Sequence, residues 1–237
     1  MGGLTHVLIE PEVNGASIVV LGHLNPAIFT PAWFSRYGLI TNEQADAAEL
    51  ALIHPQVAQF NAAGLSFFVD TDKFQIMTTE APFIRLSDMV LRIFTELLPH
   101  TPVGKLGINR EAHFNVGHDS RNAIGEQLAP LTVWGDWGAQ LTANKAKRGG
   151  MRILTMEDQN LADRERGYIR VTIQPSLRIK DEAGIFLQVN DHYELTNPEG
   201  ATGATDLMKT LEGNRFDVSM KRAESLMDIV LRLKDAK

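Results

Sequence analysis

Two short segments carry most of the chemistry in this chain. They are Gly107-Ile108-Asn109-Arg110-Glu111-Ala112-His113-Phe114-Asn115-Val116 and Gln188-Val189-Asn190-Asp191-His192-Tyr193-Glu194-Leu195-Thr196. Alternate residues of a strand share a face, so each segment sets Asn and a Glu/His pair on one side. Glu111 with His113 and His192 with Glu194 are candidate ligand or metal residues. If the strands are neighbours in register, two carboxylates and two imidazoles converge, a donor set suited to a divalent metal with an open position for water. A hydrogen-bonded polar strand face is the plainer reading of the same residues. Arg110 and Asp191 alternate onto the opposite side. There they are expected as a structural ion pair that orients the strands.

Catalysis asks for more than these groups. A buried Glu could act as a base and a His could transfer a proton near neutrality. No serine nucleophile elbow accompanies them, and no HExxH, GxGxxG or phosphate-loop pattern occurs. The catalytic assignment is therefore none. The expected function is an intracellular protein-interaction or assembly component, with a small-ligand or metal-dependent enzyme using the Glu/His strand face as the alternative. No cofactor is predicted beyond that divalent metal.

Composition narrows the field. The chain has 237 residues, 44% of them hydrophobic, enough for one large core or two small ones. The net charge of -6 argues against a nucleic-acid backbone as partner. The densest basic run, Asn144 to Gly150, is short and has no aromatic stacking partners. With no cysteine, disulfides and thiolate chemistry are excluded. That composition suits a reducing, cytoplasmic setting. No secretory signal or membrane-spanning run is read. The aromatic pair Trp134 and Trp137, between glycines, is a candidate anchor for a protein partner, or else fills a core between two units.

The elements that must position these residues follow from pattern. Ser17 to Leu24 reads as a buried strand. Thr30-Pro31 and Thr41 cap two short helices, with Gly38 closing the first. Residues 65–69 and 73–78 form a hairpin around Asp70-Thr71-Asp72, and Leu52 to Phe60 reads as an edge segment. Phe83, Leu86, Val90, Ile93, Phe94 and Leu97 mark an amphipathic helix. Phe216, Met220, Ala223, Met227, Val230 and Leu233 mark a second. Strands are expected at 105–116, 151–156, 168–175 and 185–196, and a loop at 135–150. Aligning the strands at 105–116 and 185–196 on Asn109 and Asn190 sets Glu111 on His192 and His113 on Glu194. That echo, with one long helix in each half, suggests internal duplication. The expected fold is α+β, with antiparallel sheets covered by long amphipathic helices. An N-terminal unit at 1–130 and a C-terminal unit at 131–237 would pack as one body.

Phe29-Thr30-Pro31-Ala32-Trp33-Phe34, Leu106-Gly107-Ile108-Asn109-Arg110, Gly167-Tyr168-Ile169-Arg170-Val171 and Val189-Asn190-Asp191-His192-Tyr193-Glu194 together resemble a broad family of uncharacterised bacterial proteins of about 250 residues. The resemblance covers about half of the chain. It implies a two-part α+β body and no activity.

Overall fold

The computed structural model describes residues 9–144, 148–195 and 203–235. They form one nine-stranded antiparallel sheet. Its strands are β1 (Val13–Gly22), β2 (Glu49–His54), β3 (Val57–Ala62), β4 (Leu65–Asp70), β5 (Lys73–Thr78), β6 (Val103–Asn115), β7 (Leu154–Asp158), β8 (Gly167–Pro175) and β9 (Gly184–Glu194). Their order across the sheet is β2-β3-β4-β5-β1-β6-β9-β8-β7. β1 and β6 therefore lie side by side at the centre, and β9 follows β6 directly. The segment 52–60 is a hairpin, with Pro55 in its turn and the fully exposed β2 as the sheet edge.

The helices are set by local signals. α1 (Pro31–Arg36) starts where the Thr30 hydroxyl accepts from the Trp33 N–H. Gly38, at φ 63°, follows its end, and Arg92 donates to the carbonyls of Tyr37 and Gly38. α2 (Asn42–Asp46) starts on a reciprocal capping box between Thr41 and Gln44. α3 (Ile84–Leu91) runs on as a π-helical stretch through Leu97. α4 (His118–Leu128), α5 (Gly135–Ala143), α6 (Ala204–Met208) and α7 (Arg215–Arg232) complete the set. α5 corrects the loop expected at 135–150. Its Gly138 reads as a turn residue, but a β-carbon there would stand 2.0 Å from the Leu131 carbonyl oxygen. Glycine is what lets α5 fold back on the 3-10 turn Leu131–Trp134.

The sheet residues that build the core all point to one face. Ile18, Val20, Phe60, Phe67, Phe74, Ile76, Leu106 and Ile108 join α3, α6 and Phe216 in a first cluster. Ala112, Phe114, Ile169, Ile173, Ile185, Leu187 and Val189 join the later part of α7 in a second. The first is rich in aromatic contacts, with Phe34 edge-on to Phe67 at 4.6 Å and Phe74 edge-on to Phe94 at 5.3 Å. Each such buried ring contributes roughly 1.5–3 kcal/mol from removal of its area from water.

Between the two clusters runs a polar seam. Arg110 lies 3% exposed beneath α7, with Nη1 donating to the carbonyls of Gly15 and Glu111 and Nε 3.6 Å from Glu224. Burial pulls its guanidinium below the usual arginine value, and Glu224 opposes that. Asp191 lies 1% exposed and is held by Arg164, Arg222 and the Ser219 hydroxyl. Both arginines also grip Asp163, closing a four-member ring of alternating charge. Arg164 keeps the Asp163 carboxyl well below the usual range against the effect of burial, with Arg222 assisting. Burial pushes the neighbouring Tyr193 hydroxyl up to about 12, aided by Asp191. The expected Arg110–Asp191 pair is thus corrected. The two are diagonal neighbours on β6 and β9, opposite Val189 and Ile108. Each finds its counter-charge on α7 or in the 159–166 excursion instead.

Candidate functional site

The other face of the sheet contributes nothing to either cluster among the described residues. Register fixes what it carries. Ser17 pairs with Asn109, and Asn109 with Asn190. One step along, Val19 pairs with Gly107, Gly107 with His192, and His192 with Tyr168. One step the other way, Glu111 pairs with Gln188. These side chains line a cleft of about 270 Å³ over β1, β6 and β9.

Charged groups in and around the cleft are already committed. Gln188 Nε2 donates to Glu111 at 2.8 Å. His192 Nε2 lies 3.1 Å from Glu194, which also contacts Lys105 and Arg166. Burial draws the Glu194 carboxyl upward, but His192 and Lys105 outweigh it and leave the group below its ordinary value. A carboxylate only accepts, so His192 donates from Nε2 and carries a lone pair on Nδ1. Burial, with Lys105 and Arg170 nearby, depresses the His192 imidazole despite Glu194. Its ring stacks on Tyr168 at 4.5 Å, and Tyr168 carries the Arg170 guanidinium 4.4 Å from its centroid.

The neutral groups are not committed. Ser17 and Asn109 are 5% and 6% exposed, and among the described residues neither makes a side-chain hydrogen bond. Asn190 Oδ1 is enclosed and has no partner. Buried amides are ordinarily satisfied, so these three neutral groups are where this face has hydrogen-bonding capacity to spare.

His113 lies at the far end. Its Nδ1 is 2.8 Å from the Ser176 hydroxyl, and its ring packs on Phe186 at 4.6 Å. Ser176 Oγ already accepts the N–H groups of Arg178 and Ile179. Its own hydrogen therefore goes to His113 Nδ1, which places the imidazole proton on Nε2. Burial, and secondarily Arg178, depresses the His113 value. Ser176 thus closes a turn through its oxygen while its hydroxyl proton is held by the imidazole.

The sequence-predicted metal set does not assemble. The strands are neighbours and share the face, yet His192 lies opposite Gly107 and Glu111 opposite Gln188. Four residues of strand separate Glu111 from His192, about 13 Å at the usual rise. Among the described residues no three His, Asp or Glu side chains are grouped to hold a metal ion. Ser17, Val19, Gly107 and Tyr168 belong to the cleft as well, beyond the residues that strand alternation marks. The signal available was an isolated glycine inside an alternating strand, which marks a close approach.

A second feature stands away from the cleft. Trp134 and Trp137 are 56% and 55% exposed, edge to face at 5.3 Å, beside Val133 at 77%. They fill no core between units. Lys145 to Lys147, the centre of the basic run, lie outside the described residues. No described helix is long and apolar enough to cross a membrane. No protein-family model matches this chain, and no curated protein matches it.

Proposed function

We propose that this protein is a cytoplasmic, non-catalytic interaction component that uses Trp134 and Trp137 as the anchor for a protein partner. The carrying observation is the exposure of two tryptophans and Val133 on one short 3-10/α5 element. Solvent-facing tryptophans cost hydration, and they are typical of residues that dominate interface energies. The committed state of Glu111 and Glu194 supports a non-catalytic reading. The sheet order, with β1 beside β6 at its centre and one long helix in each half, supports an internal duplication as the origin of the body.

The test is capture of a partner from native extract with a wash at elevated salt, comparing wild type with Trp134→Ala/Trp137→Ala. A stoichiometric protein retained by the wild type and lost by the double variant, with thermal stability unchanged, is expected. Equal retention by both, or no retained protein, contradicts the proposal. Loss of a concentration-dependent dimer in sedimentation would identify the partner as a second copy.

A further inference from the structure

The cleft on the helix-free face has a shape that the Trp134/Trp137 reading does not use. On three successive strands, one row reads His192, Gly107, Val19. The two outer residues carry walls, an imidazole and an isopropyl group, and the middle one carries no side chain. Two strand spacings separate β9 from β1, about 9.6 Å. Stacking of Tyr168 on one face of His192 turns the other face of that ring toward Gly107. The space over Gly107 lies between these walls, with the Asn190 amide 3.5 Å and Asn109 Nδ2 3.9 Å from where a Gly107 β-carbon would stand.

Along one side of this slot lies the row Ser17, Asn109, Asn190. It offers a hydroxyl and two primary amides, with Asn190 Oδ1 enclosed and unpartnered. Each amide presents a donor and an acceptor in one plane, the complement of an edge that alternates acceptor and donor. All three groups are neutral. The charged neighbours Lys105, Glu194 and Glu111 are already engaged with protein groups. A cleft of about 270 Å³ lies below the size range of sites for drug-sized ligands. These features specify a small, flat, uncharged heterocycle with hydrogen-bonding groups on its edge. A pyranose offers similar hydroxyls but presents no flat aromatic face to the His192 ring. The net charge of -6 argues against a polyanionic strand.

We infer that the Gly107 slot binds a purine or pyrimidine base presented as an uncharged nucleoside, stacked on His192 and read at its edge by Asn109, Asn190 and Ser17. The base enters from the helix-free side, and the protein performs no bond-making or bond-breaking on it.

The experiment is titration of the full chain with adenosine, guanosine, cytidine and uridine, and with methyl glucoside for comparison, followed by side-chain amide and imidazole NMR signals. Saturable binding of at least one nucleoside is expected, with shifts at Asn109, Asn190 and His192. Asn109→Ala and Asn190→Ala should each weaken it about tenfold or more, the loss of one amide contact to a base edge. Gly107→Leu fills the slot and should abolish binding. A β-carbon at Gly107 would meet the Asn190 amide at 3.5 Å, an ordinary contact, so Gly107→Ala serves as the folding check. Trp134→Ala/Trp137→Ala should bind as wild type does, which separates this inference from the proposed protein interface. Three results overturn it: no nucleoside response at millimolar concentration, binding that survives Gly107→Leu, or saturable binding of the glycoside in place of nucleosides.

Discussion

Arg110 and Asp191 point beneath the helices, whereas Asn109 and Asn190, one residue away on the same strands, point to the face without helices. Under the helices the charges are matched by Glu224, Arg164, Arg222 and Ser219, and the seam ties α7 and the 159–166 excursion to β6 and β9. On the open face the neutral amides have no such partners. The contrast separates two uses of buried polarity. A satisfied network is structural, and removing one member leaves its partners charged and unpaired. An unsatisfied row adds little to folding, so its removal should be felt in binding and not in stability.

The largest effect should come from Asp191→Ala. It strands the nearly buried Arg164 and removes the acceptor of Ser219, and denaturant unfolding should show a loss of roughly 3–5 kcal/mol. A smaller effect is expected from Thr41→Ala, which removes a cap and its capping box far from both faces. About 1 kcal/mol of stability should go, read as a lower thermal midpoint. Acidification should act between these limits and the next. His113 and His192 have depressed values in the folded state, so their contribution is complete above the unfolded imidazole value of about 6.5. It is lost as the pH falls through that value toward the lower folded ones. Unfolding measured on either side of that window should show this loss, and His192→Gln should flatten the slope. The smallest effect belongs to Asn109→Ala and Asn190→Ala, each expected within about 0.5 kcal/mol of wild type by the same denaturant assay.

What the sequence disclosed was local. The Thr30 and Thr41 caps, the 65–78 hairpin and the apolar stripes of α3 and α7 depend on residues near one another in the chain, and the structure has them where those patterns place them. Alternation also placed Asn109, Glu111 and His113 on one face and Arg110 on the other. Register was not legible, because it is set by pairing over about eighty residues. The convergence of Glu111 with His192 and the Arg110–Asp191 pair both depended on it. The true partners, Arg164, Arg222 and Glu224, come from an irregular excursion and a distant helix, and no spacing rule links them to Asp191 or Arg110. α5 was hidden for another reason: Gly135 and Gly138 read as turn residues, but Gly138 makes room for a neighbouring carbonyl.

The side-chain amide spectrum of the free protein tests the open row most directly. If Asn109 and Asn190 are unpaired, as the helix-free face requires, their NH₂ protons exchange rapidly with water and shift when a nucleoside is added. Slowly exchanging protons on both residues, unmoved by any added base, would mean that the two amides are locked into the fold and that this face has no open recognition row.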